Sequence, residues 1–321
     1  MKSADVQDAA RSANSESAGI WPDLSLLGVA VIWGVNIPIM KNGLDRLDPF
    51  VLNAVRLLVS AVVLTSLTML QRRERRSRPE DAAHGKISPR SLMIYALIVS
   101  ALYQLLFLLG IARTTSGNTA LILATVPMWT ALLARIFLAE KLVLLGWCGL
   151  LIALTGTVLV ACQNQSISGK NEHLPGNLFV LGAAISWAAG TVYSRPLLKT
   201  ISPMELSARS AVLAFPMHLV FMMLGSFEQV GELRTFSMWG IILYSGILST
   251  GLALPMWSYG VRHAGAAHAA IIQNLVPLVA IVAAWMTRGE SASAAQLIGG
   301  TLILTGLVIM RRSRTQPSRS A

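Results

Sequence analysis

Polar and aromatic side chains that could bind a ligand lie within apolar stretches of the chain. In the first stretch, Trp33, Asn36, Ile37 and Met40 are spaced to share one face of a helix. A second stretch follows a short polar turn and carries Arg56. Polar side chains are costly in a lipid bilayer and usually face a cavity or a partner helix. We therefore expect this helix face to line a cavity.

The candidate substrate-binding side chains combine aromatic rings with hydrogen-bonding groups. They are Trp33, Asn36, Tyr103, Asn118, Trp187, Thr191, Trp257, His268 and Gln273. Each also has a structural interpretation. Tryptophan anchors helices at membrane interfaces, and polar groups hydrogen-bond to neighbouring helices at about 0.6 kcal/mol on average. Trp33 and Trp187 occupy matching positions in the two halves of the chain, where their rings could form an aromatic clamp.

Arg56 allows two interpretations. It lies only two turns into its apolar stretch, so its long side chain can reach the membrane interface and anchor the helix there. Alternatively, its charge attracts an anionic group such as a substrate carboxylate. The sequence favours the anchor, because the matching position in the second half of the chain is Ser210, with Arg209 beside it.

Several mechanisms are disfavoured by what the sequence lacks. None of the 15 acidic residues lies at the centre of an apolar stretch. Proton-coupled antiport of cations usually needs such a buried carboxylate, so that mechanism is not expected. There is no phosphate-binding glycine loop followed by Lys-Ser or Lys-Thr, and no Cys/His cluster has metal-binding spacing. No Ser-His-Asp set can be placed at one membrane depth, so we expect no enzyme, no cofactor and no metal.

The composition predicts an all-α integral membrane protein. Of 321 residues, 54% are hydrophobic and only 13% are charged, against about 25% in a soluble domain. Apolar runs of about 20 residues suit helices that span a bilayer. We predict ten such helices, at about 24–44, 49–70, 91–112, 117–139, 142–162, 175–196, 204–225, 237–258, 265–287 and 292–310. The basic residues flank these runs, so the expected partner is the lipid bilayer and not nucleic acid.

The basic residues also predict the orientation in the membrane. The segment Gln71–Arg90 contains seven lysines and arginines, a density that favours the cytoplasm. With ten helices, both termini then lie on the cytoplasmic side. That side holds 18 of the 26 basic residues, the opposite side holds six, and two lie inside the spans. Residues 1–23 are expected to be a disordered cytoplasmic tail, and 311–321 a basic cytoplasmic tail.

An internal repeat relates the two halves of the chain. Trp33 matches Trp187 at an offset of 154 residues, and Pro127 matches Pro277 at an offset of 150. A unit of five helices has an odd number of crossings, so the second copy enters the membrane from the opposite side. The sequence therefore predicts two inverted five-helix repeats, a common plan for secondary transporters whose site lies at the repeat interface.

These motifs together resemble the EamA-type family of drug/metabolite transporters. The segments that carry the resemblance are Trp33-Gly34 with Asn36, Pro49 and Arg56; Leu109–Glu140; Ile185–Pro203; and Val276-Pro277 through Glu290 to Gly299-Gly300. The resemblance implies ten helices in two EamA domains, over 24–162 and 175–310 and joined by a linker at 163–174. It also implies a central cavity lined by helices 1, 3, 4, 6, 8 and 9.

The resemblance implies export or facilitated movement of small metabolites, often amino acids. We expect a secondary transporter or facilitator in the bacterial inner membrane that exports an amino acid or a related amphipathic compound by alternating access. Export of drugs or other hydrophobic compounds is the alternative within transport. A membrane-embedded enzyme is the alternative from another class, and it is less favoured because no polar constellation is concentrated at one depth. Monomer and homodimer both stay open.

Overall fold

The computed structural model describes residues 20–76, 87–137, 144–162, 172–198, 200–264, 272–273 and 275–315. The regular elements within these ranges are helices, which we number in chain order. They are α1 (Trp21–Leu44), α2 (Pro49–Arg76), α3 (Pro89–Arg113), α4 (Ser116–Phe137), α5 (Leu144–Ala161), α6 (Leu174–Leu197), α7 (Pro203–Met223), α8 (Phe236–Leu243, Tyr244–Leu252 and Ala253–Ala264 in succession), α9 (Leu275–Arg288) and α10 (Ala294–Thr315). A short 3₁₀ helix, Val230–Arg234, precedes α8.

The helices begin where the sequence provides a start signal. Proline is the first residue of α2, α3 and α7, a position where its missing N–H is no loss. The side chains of Thr115, Ser202 and Thr235 cap α4, α7 and α8 by accepting a backbone N–H from the first turn. Local sequence therefore determines where five of these ten helices begin.

Within the described residues, eight helices are long and apolar enough to cross a membrane. Two shorter apolar helices, Leu275–Arg288 and Ala294–Ile309, lie where the ninth and tenth spans are predicted. The predicted fold class, an all-α membrane protein, is confirmed. The tail over 1–23 and the linker over 163–174 lie mostly outside the described residues, as does the beginning of the predicted ninth span.

Two helices contain a stretch of π-helix that the sequence did not predict. These stretches are Ala96–Leu102 in α3 and Tyr244–Leu252 in α8, the third helix of each half. A third irregularity is a break at Ala124–Thr125 in α4, just before Pro127. π-Helical turns redirect the side chains that follow them and are frequent at functional sites. Here they precede Tyr103 and Ala253 directly.

The packing of the helices repeats between the two halves of the chain. Helix α1 packs against α8 and α9, and its counterpart α6 packs against α3 and α4. Helix α2 packs against α7, and α5 packs closely against α10. Exchanging the first five helices with the last five leaves these pairings unchanged. The contacts thus agree with the internal repeat in the sequence.

The connecting turns define two ends of the helix bundle. Arg288, which ends α9, forms an ion pair with Asp45 in the α1–α2 turn at 2.8 Å. The backbone N–H of Ser116, at the start of α4, donates to Glu290 at 2.8 Å. We call this end the turn end. At the opposite end, where α2 finishes and α3 begins, Glu205 pairs with Arg209 at 2.6 Å. We call that the loop end.

Close packing of α5 and α10 depends on glycine. A methyl group added to Gly156 would lie 2.5 Å from the carbonyl oxygen of Gly299, which is shorter than any allowed contact. We predict that Gly156→Ala lowers the melting temperature of the purified protein, because overpacking costs about 1–3 kcal/mol. The matched control is Gly240→Ala, since nothing lies within 4 Å of the added methyl group there. Equal melting temperatures for the two variants would contradict this account of the α5–α10 contact.

Candidate substrate-binding cavity

A cavity of about 220 Å³ lies between the two halves of the helix bundle. Helices α1 to α4 line it from the first half, and α6 to α9 with the described segment 272–273 line it from the second. The resemblance to the EamA-type family implied helices 1, 3, 4, 6, 8 and 9 as the lining, and the structure adds α2 and α7. Since both repeats contribute walls, movement of one half against the other would change the shape of the cavity.

The cavity extends towards the loop end of the bundle. Tyr95 and Ser207 line it near the beginnings of α3 and α7, and Leu64 lines it in the second half of α2. At the turn end, a cluster of buried apolar side chains closes the space between the helices. We call this cluster the plug, and its members are Ile37, Met40, Leu47, Val51, Leu52, Phe107, Leu108, Ile111, Ala120, Ala183, Met238, Ile242 and Ala280.

Aromatic rings form two similar pairs at the cavity. The rings of Trp33 on α1 and Trp257 on α8 lie 5.7 Å apart, and those of Trp187 on α6 and Tyr103 on α3 lie 4.8 Å apart. The indole N–H of Trp33 also donates to the backbone oxygen of Ser249 at 2.9 Å. Each half thus pairs the tryptophan of its first helix with an aromatic ring on the third helix of the other half.

Arg56 is buried in the cavity wall and is only 3% exposed. Its Nη2 donates to Asn53 Oδ1 and to Gln104 Oε1, each at 2.7 Å, and its Nη1 donates to Ser245 Oγ at 3.4 Å. The side chain therefore turns into the bundle between α2, α3 and α8. The interpretation of Arg56 as an anchor at the membrane interface is wrong, because the side chain has polar partners inside.

His218 extends this polar network onto α7. The ring is buried, and its Nε2 lies 2.6 Å from the backbone oxygen of Ser100. A carbonyl oxygen only accepts hydrogen bonds, so we assign the proton to Nε2. The other ring nitrogen, Nδ1, then accepts from Asn53 Nδ2 at 3.4 Å. Arg56, Asn53, His218 and Ser100 thus form a continuous chain of hydrogen bonds along one wall.

The sequence matches the family described as the EamA-like transporter family over residues 20–162 and 174–312. The chain belongs to this family. A solved crystal structure that is 16% identical has the same fold, with a TM-score of 0.59, and the match covers 91% of this chain and 98% of that one. Membership in a transporter family agrees with the expectation of a membrane transport protein and not an enzyme.

Several relatives of this EamA-like transporter cover nearly its whole length. The uncharacterised transporter YoaV of Bacillus subtilis is 25% identical over 88% of this chain and 94% of its own. The "Probable terminal-alkyne amino-acid exporter" of Streptantibioticus cattleyicolor is 27% identical over 95% and 97%. The "Probable amino-acid metabolite efflux pump" of Escherichia coli is 27% identical over 89% and 93%.

The structure brings five of the nine candidate residues of this transporter to the cavity. These are Trp33, Asn36, Tyr103, Trp187 and Gln273. Trp257 and Thr191 are not among the lining residues. The ring of Trp257 contacts that of Trp33, and the exposed hydroxyl of Thr191 donates to the backbone oxygen of Trp187 at 2.9 Å. His268 lies outside the described residues. The role of each candidate in binding stays a prediction.

Asn118 lies at the turn end, away from the cavity lining. It is fully buried, and its Nδ2 donates to Thr114 Oγ1 and Asn177 Oδ1, each at 3.2 Å. Its Oδ1 accepts from Gln296 Nε2 at 2.7 Å. Asn118 therefore joins α4 to α6 and α10. This geometry favours the structural interpretation that the sequence left open beside binding.

Sequence reasoning missed Asn53 and His218. Asn53 precedes Arg56 by three residues, which places the two side chains on one face of α2. His218 is a polar residue inside an apolar stretch, and the argument applied to Asn36 would have selected it too. Both residues were therefore detectable from the sequence as polar residues within apolar stretches.

We predict that Asn118→Ala lowers stability and leaves transport activity per folded molecule unchanged. The substitution removes the partner of a buried Gln296 amide, which costs about 1–3 kcal/mol. The measurement is the melting temperature in detergent, with Thr191→Ala as the control because an exposed position usually changes stability by less than about 0.5 kcal/mol. A loss of transport at normal stability would show instead that Asn118 contacts the substrate.

Proposed function

We propose that this EamA-like transporter exports a small amphipathic metabolite, an amino acid or a related compound, by alternating access. The observation that carries the proposal is the cavity between the repeats, which combines aromatic rings with a few hydrogen-bonding groups. Such a lining suits a ligand with an apolar part and a polar part. Relatives in Streptantibioticus cattleyicolor and Escherichia coli are named a probable terminal-alkyne amino-acid exporter and a probable amino-acid metabolite efflux pump, which supports this substrate class.

We place the protein in the bacterial inner membrane with its loop end and both termini in the cytoplasm. In sequence, the basic segment Gln71–Arg90 runs from the last turns of α2 to the first residues of α3, which lie at the loop end, and such segments stay on the cytoplasmic side. The cavity extends towards this end. In this orientation, substrate enters from the cytoplasm and the plug separates it from the other side of the membrane.

Export requires the turn end to open. The plug is held there by a polar layer in which Lys41 donates to the backbone oxygen of Ile111 at 3.1 Å. In the same layer, Arg288 pairs with Asp45 at 2.8 Å and with Glu290 at 2.6 Å. These contacts tie the ends of α1, α3 and α9 together. Their separation would allow the plug to part and the substrate to leave.

We predict that Arg288→Gln increases the exposure of the plug to the outside. A Met40→Cys reporter, with Cys148 and Cys162 replaced by Ser, should react faster with an impermeant thiol reagent added outside. Arg288 makes two partly exposed ion pairs worth about 0.2–1 kcal/mol each, so their loss should increase the rate roughly two- to thirtyfold. The control is Arg209→Gln, which removes an ion pair at the loop end. An unchanged or slower rate in the Arg288 variant would argue against this closure.

We predict that Trp187→Ala reduces the rate of export. Its ring lines the cavity and contacts Tyr103, and an aromatic pair contributes about 0.5–1.5 kcal/mol, so the loss should be roughly two- to tenfold. The measurement is efflux of labelled compounds from proteoliposomes, over a panel of amino acids, nucleosides and cationic dyes. Trp285→Ala is the control, because that ring is 63% exposed. If the wild-type protein moves none of these compounds, the proposed function fails.

Export of drugs or other hydrophobic compounds is the second candidate function. The aromatic pairs favour it, since they can stack on many ring systems. Cationic drugs fit less well, because the described residues that line the cavity include Arg56 and no aspartate or glutamate. The dye arm of the transport panel therefore separates this candidate from amino-acid export.

A further inference from the structure

We propose that Arg56 binds the carboxylate of the substrate and that Asn36 binds its ammonium group. The proposal rests on the proposed function and narrows its substrate class to zwitterions of the α-amino-acid type. Both residues line the cavity, Arg56 from α2 and Asn36 from α1. Both are more than nine-tenths buried, so their hydrogen-bonding groups depend on partners within the bundle or on a ligand.

Arg56 carries a charge that the cavity lining does not compensate. Arg56 is the only arginine or lysine among the described residues that line the cavity, and none of those residues is acidic. Its hydrogen-bond partners, Asn53, Gln104 and Ser245, are all neutral. A buried cation without a counterion is strongly destabilising. A substrate carboxylate would supply the missing negative charge inside the cavity.

Two complementary polar atoms at the cavity have no partner within the described part of the chain. Arg56 Nε, a donor, and Asn36 Oδ1, an acceptor, are buried side-chain atoms without a hydrogen-bond partner. The buried Arg56 donor suits an anion and the Asn36 acceptor suits a cationic N–H group. An α-amino acid carries a carboxylate and an ammonium group on the same carbon. Trp33, one turn before Asn36, adds an aromatic ring at the same wall for an ammonium or an apolar side chain.

The guanidinium is also suited to exchange one partner for a ligand. Its Nη1 bond to Ser245 is long, at 3.4 Å, so it contributes little. A carboxylate that displaces the neutral Gln104 oxygen would form shorter, charge-assisted hydrogen bonds, and a guanidinium can donate two of them in parallel. Asn53 would keep the side chain in place, because it is itself held by His218.

The two halves of the chain differ at the position of Arg56. The position that matches Arg56 in the second repeat is Ser210, which also lines the cavity. The neighbouring Arg209 pairs instead with Glu205 at 2.6 Å and is close to half exposed. Only the first repeat therefore offers a charged anchor among the described lining residues. A single anchor orients the substrate with its carboxylate at α2.

The first experiment compares substrates on the wild-type protein and needs no variant. Efflux from proteoliposomes is measured for the twenty common amino acids, for their amides, which lack the carboxylate, and for the corresponding deaminated acids. We expect at least one amino acid to be carried. Both of its analogues should move at least about tenfold more slowly, because each loses a charged hydrogen bond. Equal efflux rates for the amino acid and its amide would overturn the carboxylate role of Arg56.

The second experiment provides a carboxylate from the protein itself. In Gln104→Glu, the new carboxylate takes the place of the oxygen that now lies 2.7 Å from Arg56 Nη2. We expect the melting temperature to stay the same or rise, because the buried cation gains a counterion, while efflux of the amino acid falls about tenfold or more. Gln229→Glu, at an exposed position, is the matched control. Normal efflux in a stable Gln104→Glu protein would overturn the proposal.

Two further variants test the geometry. Arg56→Lys keeps the charge but loses the planar fork of donors. Efflux of the amino acid should therefore fall, while the preference for the amino acid over its amide persists. Asn36→Leu should reduce the rate for the amino acid and remove its advantage over the deaminated acid.

If the protein carries nucleosides or dyes but no amino acid, this inference fails and the transporter function stands. If it carries nothing, the proposed function itself fails.

Discussion

The hydrogen bonds of one buried guanidinium and its neighbours connect four of the eight helices that line the cavity. Arg56 on α2 donates to Gln104 on α3 and to Ser245 on α8, and Asn53 relays the network to His218 on α7. Hydrogen-bond partners stabilise a cation in the interior of a membrane protein. The positions of these helices therefore depend on one another, and a substitution at Arg56 would affect helices in both repeats.

The irregular helices make this network possible. Ser245 lies inside the π-helical stretch of α8, and Gln104 follows the π-helical stretch of α3 by two residues. A π-turn inserts an extra residue and rotates everything after it, so a polar side chain can face the cavity while its neighbours still face lipid. The cost is a weaker backbone hydrogen-bond pattern. Both repeats carry this irregularity at the same place, which links the scaffold to the cavity.

Much of the fold could be predicted from the sequence, because membrane spans are long, apolar and directly readable. The repeat was visible because matching residues recur at nearly constant offsets: Trp187 follows Trp33 by 154 residues, and Pro277 follows Pro127 by 150. The site was harder to predict. Hydropathy gives the depth of a residue along a helix but not the direction of its side chain. Arg56 looked shallow enough to be an anchor, yet its side chain points inward to Gln104, which is far away in sequence.

Asn118 illustrates the same limit from the other direction. As a polar residue in an apolar stretch, Asn118 looked from the sequence equally suited to ligand binding and to helix packing. The outcome depends on Asn177 and Gln296, which lie on α6 and α10 and meet Asn118 only in the folded bundle. Polar residues in apolar stretches are therefore easy to find from sequence, whereas their partners come from tertiary structure. A buried polar atom without a partner, such as Asn36 Oδ1, favours ligand binding over packing, and it is visible only in the structure.

The two repeats share a scaffold but not a chemistry. Their helices pack in equivalent pairs, and each contributes one tryptophan to the cavity, so either half can move against the other in a similar way. The polar lining breaks this equivalence, since Arg56 in the first repeat corresponds to Ser210 in the second. If transport proceeds by alternating access, as we propose, the symmetric scaffold would let the cavity face either side of the membrane in turn. The asymmetric lining would then keep the substrate in one orientation, because the proposed anchor, Arg56, stays with α2 throughout.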